Sequence, residues 1–426
     1  VSRAALWLAL VGLILAACAG GAAQAPTATW QPRTPPAPFT FSGQKRPLLL
    51  AHYMAWYQTP YVSKMWGWHW TMNRFMPRQN EQGEWSDLAS HYTPLTGPYD
   101  SSDPLLLEYQ VQLMKLSGID GVIVDWYGSE QAEDYAPINQ AAGRLFEAVR
   151  KAGLKFVICY EDQTVKQMIA KRYFDEAEAA AHGQLAMRYL QETWFRDEAY
   201  LKVDGQPLLF VFGPQYFKGG RQWQALFEGI EPQPLLVTLD NPVDTVGAGS
   251  YPWPPMSLSA GGELRPEVLA QYLGNFYAKT SQDRYKVGGA FPGFKDIYEQ
   301  GGAGSSYGYL DERGGETFRA TLQDALVHDL DMIQLITWND YGEGTGIEPT
   351  VQFEYRYLEL TQAARRAIEG GRFAYTAEDL RLPLRVYELR SRYAAEPAAA
   401  AELARLGEAL LAGDVKTAAK LLRKYR

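Results

Sequence analysis

The sequence predicts an α/β fold: a (β/α)8 TIM barrel with a long aromatic loop near its N-terminus and a small C-terminal helical extension. Three observations carry this. Eight short, nearly unbroken apolar runs read as strands buried on both faces. Apolar residues at helical spacing fill several of the intervals between them. Polar and aromatic residues cluster where the runs end, which is where such a barrel places its reactive groups. The 426 residues, 46% of them hydrophobic, suffice for one large barrel with extras and exclude global disorder.

The chain opens with Arg3, an apolar run from Ala4 to Leu15, and then Leu15-Ala16-Ala17-Cys18. A charged start, a short apolar stretch and small residues before a cysteine have the form of a secretory signal, too short to span a bilayer comfortably. The tetrapeptide resembles a bacterial lipobox. That resemblance implies acylation of Cys18, a lipid anchor in the membrane and an extracytoplasmic location. Residues 1–18 therefore read as signal and lipobox. Residues 19–46, rich in Ala and Pro, read as a linker, 47–371 as the barrel and 372–426 as the helical extension.

The strands follow in order: Pro47–Trp56, Gly121–Tyr127, Lys155–Glu161, Pro207–Gly213, Pro234–Asp240, a weaker Ala248–Trp253, Tyr285–Phe291 and Met332–Asp340. Asp103-Pro104 starts a helix, because the Asp side chain accepts orphan N–H bonds and Pro fits the first turn. Leu106, Tyr109, Leu113 and Leu116 continue it, and Gly118 can close it in a left-handed conformation. Ile138–Ala152 and Glu316–Leu330 repeat the helical pattern. Val203-Asp204-Gly205-Gln206 reads as a hairpin turn into the fourth strand. Met54–Tyr99 holds Trp66, Trp68, His69, Trp70 and Trp85. It reads as a loop over the barrel mouth, either a substrate wall or a unit packed on itself. Glu396–Ala412 and Val415–Tyr425 read as helices of the tail.

Composition narrows the chemistry. Lys and Arg number 41 against 49 Asp and Glu, a net charge of −8, which argues against a nucleic-acid partner. Two cysteines cannot build a disulfide scaffold or a four-cysteine zinc site, and the five histidines show no ligand pair at helical spacing, so neither metal nor cofactor is expected. The 12 Trp and 27 Tyr fit a large core or a sugar-binding cleft, since aromatic faces pack on the C–H faces of pyranose rings. Gly304-Ser305-Ser306-Tyr307-Gly308 has the letters of a serine-hydrolase elbow but no strand directly before it.

The densest candidate follows the eighth strand: Thr337-Trp338-Asn339-Asp340-Tyr341-Gly342-Glu343-Gly344-Thr345-Gly346-Ile347-Glu348-Pro349. Asp340 and Glu343 can both face a cleft if the chain turns after Asp340, and Gly342 and Gly344 permit that turn. Glycoside cleavage needs one acid to protonate the leaving oxygen. A second carboxylate activates water, attacks the anomeric carbon or deprotonates a substrate hydroxyl.

Residues Trp338 to Pro349 resemble the signature of glycoside hydrolase family 99, the endo-α-mannosidase type. There a Trp-Asn-Glu-x-x-Glu-Gly-Thr-x-Ile-Glu-Pro stretch carries two essential carboxylates on a (β/α)8 barrel. His52–Tyr57, Gly118–Tyr127 and Tyr200–Leu209 share the resemblance. It implies that Asp340 acts as base toward a substrate 2-hydroxyl, through a 1,2-anhydro-sugar intermediate, and that Glu343 acts as general acid and then base. This chain departs from the pattern with Asp for the first Glu, and with Tyr341-Gly342 for Trp-His. The Trp-Asn-Asp-Tyr-Gly-Glu form also looks like glycoside hydrolase family 71, the inverting α-1,3-glucanases. Expected around the pair are the substrate contacts His52, Tyr53, Trp56, Asp125, Trp126, Tyr127, Glu161, Trp338, Asn339, Tyr341 and Glu348. Glu348 alternatively serves in a salt bridge, and Asp125 alternatively braces a loop. The expected partners are an oligosaccharide or polysaccharide and the membrane, the chain itself being a monomer. The alternatives are an inverting α-1,3-glucanase-like hydrolase and a non-catalytic glycan-binding lipoprotein.

Overall fold

The computed structural model describes residues 38–425; Cys18 and the apolar segment before it lie outside them. The eight expected strands form. They are β1 (Leu48–Met54), β2 (Gly121–Trp126), β3 (Lys155–Tyr160), β4 (Gln206–Val211), β5 (Leu235–Leu239), β6 (Gly247–Tyr251), β7 (Val287–Ala290) and β8 (Met332–Leu335). They pair in parallel in the order β7-β8-β1-β2-β3-β4-β5-β6. The two ends of that order meet at a seam, where Tyr285 N–H donates to the Ala248 carbonyl at 2.9 Å. The Asp283 carboxylate adds a bond from Ser250 N–H at 3.1 Å. The seam can close this tightly because Gly249 has no side chain: a Cβ there would lie 2.1 Å from the Tyr285 carbonyl oxygen.

Strand parity divides the core. Leu50, Ile123, Val157, Leu208, Val237, Val287 and Met332 form the cluster inside the barrel. Their neighbours Leu49, Val122, Phe156, Leu209, Leu236 and Ile333 belong to the larger cluster between strands and helices. Side chains alternate faces along a strand, so this parity decides which residues near the strand ends face the mouth.

The helices are α1 (Pro104–Ser117), α2 (Tyr135–Lys151), α3 (Gln163–Ala170), α4 (Ala179–Leu190), α5 (Gly220–Leu226), α6 (Pro266–Thr280), α7 (Glu316–Leu326) and α8 (Arg356–Ile368). Asp103 caps α1 as its sequence predicts, accepting from Leu105 N–H at 2.9 Å, and Gly118 closes it at φ 86°. The hairpin at Asp204-Gly205 forms, with both residues at positive φ. Among the described residues no helix is long and apolar enough to cross a membrane.

The segment before Pro47 already packs on the barrel: Phe39 is buried and Thr40 N–H bonds to the Gln323 amide oxygen at 2.8 Å. The tail helices α9 (Leu382–Arg392), α10 (Pro397–Leu411) and α11 (Val415–Leu422) belong to the same compact unit as the barrel. They pack on α1: Gln112 donates to the Gly407 carbonyl at 3.0 Å, and Lys115 to that of Leu411 at 2.6 Å.

Two glycine substitutions should move stability in opposite directions. Gly249→Ala forces a methyl group against backbone at the seam and should cost about 1–3 kcal/mol or more. Gly143→Ala, inside α2 with nothing within 4 Å of the new Cβ, should add about 0.5–1 kcal/mol. Denaturant unfolding of both variants against wild type checks the pair.

Candidate active site

The segment after β8 is built by hydrogen bonds that fold it back on itself. Strand pairing ends at Leu335, five residues earlier than the apolar run suggests. Trp338 N–H reaches back to the His52 carbonyl at 2.6 Å, tying the segment to β1. Thr337 N–H bonds to the Thr345 carbonyl at 2.8 Å, and Glu348 N–H to that of Trp338 at 2.9 Å. The Asn339 amide oxygen accepts from Met54 N–H at 2.8 Å, and its NH2 donates to the Met54 carbonyl at 3.0 Å. Gly344, at φ +67°, lets the turn lie against the Lys295 backbone; a Cβ there would sit 2.7 Å from the Lys295 carbonyl oxygen.

This frame presents Asp340 and Glu343 at the mouth. Glu343 N–H donates to Asp340 Oδ1 at 3.0 Å. Tyr298 donates its hydroxyl to Glu343 Oε1 at 3.1 Å. Asp125 from β2 and Glu161 after β3 share the interior parity and complete a group of four acids. Burial pushes Asp340 up to about 6, opposed by the backbone N–H groups of Glu343 and Gly342. Burial, then the Asp340 charge, raises Glu343 well above the usual carboxyl range. Asp125 is raised by burial and by Asp340, and Glu161 by burial and by Asp125. No lysine or arginine contributes to any of the four. Burial and the neighbouring acids therefore push the group toward neutral forms, with no lysine or arginine to favour the charged ones.

Aromatic residues flank the acids. Trp56 stacks on His69 with ring centroids 4.2 Å apart and planes 8° from parallel, and Tyr127 stands 6.0 Å from Trp56. Tyr127 is half-buried and feels Glu161 and Asp125 as its nearest charges. Trp253, after β6, packs edge-on against His52 at 5.0 Å and Phe212 at 4.9 Å. A cavity of about 240 Å³ beside Trp56 is lined by Gln58, Ser63, Ser102, Pro137 and Gln140 and by none of the four acids. In the loop before α1, His69 stacks on Trp56, while Trp70 is fully buried and donates to the Tyr99 carbonyl at 2.8 Å.

Several expected sugar contacts are instead core. Trp126 has outward parity, is fully buried against Tyr189 and Trp194, and donates to Asn139 at 2.9 Å. Tyr53 also faces outward, donating its hydroxyl to Gln110 at 2.7 Å. Trp338, Asn339 and Tyr341 are buried and frame the turn. Glu348 has no salt-bridge partner among the described residues. Buried, it accepts from the hydroxyls of Tyr99 and Tyr341 and from the Gln110 NH2, each at 2.7 Å. His52 faces the interior but is fully buried below the acids, and burial drops its pKa to about 3. Asp162 anchors the loop after β4 by accepting from the N–H groups of Gln215, Tyr216 and Phe217 at 2.7–2.8 Å. Ser306 bonds to Asp296 at 3.0 Å, so the elbow-like motif is a loop tie. Tyr298 went unread because it sits in a long excursion after β7 with no motif around it.

No family model matches the chain. In sequence it is similar to a glycoprotein endo-alpha-1,2-mannosidase-like protein of Danio rerio, 20% identical over 65% of this chain and 66% of that relative. The chain thus spans about two thirds of the relative's length. In structure it is similar to the GH99 endo-alpha-mannosidase of Bacteroides thetaiotaomicron, with 18% identity and a TM-score of 0.56, covering 76% of this chain and 98% of that one. A glycoside hydrolase-like protein superposes with a TM-score of 0.52 at 13% identity, covering 78% and 96%. These structural likenesses establish the shared barrel fold. With the sequence match they bear out the resemblance to family 99.

Glu348→Ala strands three buried donors and should lower stability by about 3 kcal/mol or more, measured by denaturant unfolding. The raised acids set a pH dependence. An acid whose pKa rises on folding holds more protons in the folded state, so its stability contribution is full below its unfolded pKa and is lost as pH rises through the folded one. For Asp340 that window runs from 3.8 to about 6, and for Glu348 from 4.5 to about 7. Asp340→Asn should therefore gain stability relative to wild type between pH 4 and pH 8, by up to about 3 kcal/mol. Unfolding midpoints of both proteins across that range test the sign.

Proposed function

We propose that this chain is a glycoside hydrolase that cleaves α-linked glycans, endo-acting on an α-mannan or a related polysaccharide. The observation that carries the reading is the unequal setting of Asp340 and Glu343. Backbone N–H groups favour the charged form of Asp340, which titrates at about 6, while burial and the Asp340 charge keep Glu343 protonated. Two carboxyls whose surroundings push their pKa values apart suit base and acid roles. In this reading Asp340 removes the proton of the substrate 2-hydroxyl, and that oxygen attacks the anomeric carbon. Glu343 protonates the departing glycosidic oxygen. Glu343 then takes a proton from water, which opens the 1,2-anhydro sugar, and Asp340 returns the first proton to O2. Trp56, Tyr127 and Trp253 supply the sugar-facing surface. The lipobox-like stretch Leu15–Cys18 supports an anchored, extracytoplasmic enzyme working on external glycan.

Asp340 is one methylene shorter than the Glu of family 99, a difference of roughly 1.5 Å in reach. That departure favours a second reading, an inverting hydrolase of the α-1,3-glucanase type. A glycan-binding lipoprotein without catalysis is the third.

A panel of α-mannans and α-glucans separates the three. Wild type should hydrolyse at least one member, and Asp340→Asn and Glu343→Gln should each lose about 10²–10⁴-fold in kcat. Equal activity in all three proteins would overturn the assigned roles. The kcat/KM profile should rise with pH through about 6, where Asp340 ionises, and fall at higher pH as Glu343 loses its proton. NMR of the first-formed anomer distinguishes retention, expected of the anhydro-sugar route, from inversion. Binding without turnover supports the third reading.

A further inference from the structure

Below the carboxylate pair, three side chains from three consecutive strands meet inside the barrel. In the parallel ladders Asp125 pairs with Cys159 on one side and with Met54 on the other, two residues beyond His52. All three therefore carry the same, inward parity. His52 Nε2, an Asp125 oxygen and Cys159 Sγ lie within 4.8 Å of one another, and all three residues are buried. His52 Nε2 stands 4.0 Å from Asp125 Oδ1, beyond hydrogen-bond length. That nitrogen has no hydrogen-bond partner among the described residues, and the Asp125 carboxyl meets the Glu161 carboxyl. A polar atom buried as deeply as His52 Nε2 is ordinarily paired, so it points to something that binds between the three side chains.

We infer that His52, Asp125 and Cys159 form a binding site for a thiophilic divalent cation of the zinc class. The donor set selects that class. Calcium and magnesium take shells of oxygen, whereas imidazole nitrogen, thiolate sulfur and one carboxylate suit zinc and its late first-row neighbours. Three protein ligands leave a fourth position for water. The surroundings fit as well. The Gln334 side-chain nitrogen stands 3.2 Å from His52 Nδ1. Turning that amide over presents its oxygen instead, which accepts the Nδ1 proton and leaves the Nε2 lone pair for the ion. That orientation also gives a partner to the Gln334 oxygen, which otherwise has none. Cys159 binds as thiolate, its proton leaving to solvent as the cation enters. Sequence spacing hid the site because its ligands come from three strands, separated by whole helices.

The inference is independent of the glycosidase reading, and its test reads metal, not turnover. The full chain, stripped with a chelator, is dialysed against Zn²⁺ or Co²⁺ and its metal content measured. One equivalent is expected, and the Co²⁺ form should show a thiolate-to-cobalt charge-transfer band in the near ultraviolet. Cys159→Ser should abolish that band, and Asp125→Asn should weaken binding by about tenfold or more. Wild type that takes up no ion above the dialysis buffer, or holds Co²⁺ without a thiolate band, overturns the inference. So does equal uptake by wild type, His52→Ala and Cys159→Ser. The band is read on wild type, so the result stands even if a variant fails to fold.

Discussion

The candidate site depends on one buried carboxylate. Glu348 accepts hydrogen bonds from the loop before α1 (Tyr99), from α1 itself (Gln110) and from its own segment (Tyr341). Separate parts of the chain are thereby held to one point. With the Asn339 clip on Met54, this fixes where the segment after β8 turns, and therefore where Asp340 and Glu343 stand. Neither strand pairing nor apolar packing would do the same. The segment has left the sheet, and its turn contains Gly342, Gly344 and Gly346, which offer no side chains to pack.

A second constraint is electrostatic. Asp125, Glu161, Asp340 and Glu343 share the mouth without a lysine or arginine to balance them, so each is pushed toward its neutral form by burial. That arrangement costs stability as pH rises, yet it keeps one carboxyl protonated beside another that ionises more readily. An ion pair would cancel the difference that acid–base chemistry uses. The barrel tolerates the cost because its large apolar clusters and parallel ladders lie below and outside the mouth.

Much of the fold was legible in the sequence. Parallel strands buried on both faces must be apolar along their length, so each of the eight runs stands out, from the strong Gly121–Tyr127 to the weak Ala248–Trp253. The cap at Asp103-Pro104 and the turn at Asp204-Gly205 act within a few residues and were equally plain. Asp340 and Glu343 were legible for the same reason, because a local motif carries them.

The orientation of side chains was not legible. Trp126 and Asp125 are neighbours in sequence, yet one is core between sheet and helices and the other faces the barrel interior. A continuous apolar run hides the alternation that would tell them apart. Likewise Trp56 and Trp70 look equivalent in the aromatic loop, but only folding stacks one on His69 and seals the other under Tyr99. Local chemistry, read over a few residues, determined the strands, the turns and the carboxylate pair. Only the closed barrel decided which side chains meet, because parity and register bring His52, Asp125 and Cys159 together from strands far apart in the chain, and the excursion after β7 carries Tyr298 to Glu343.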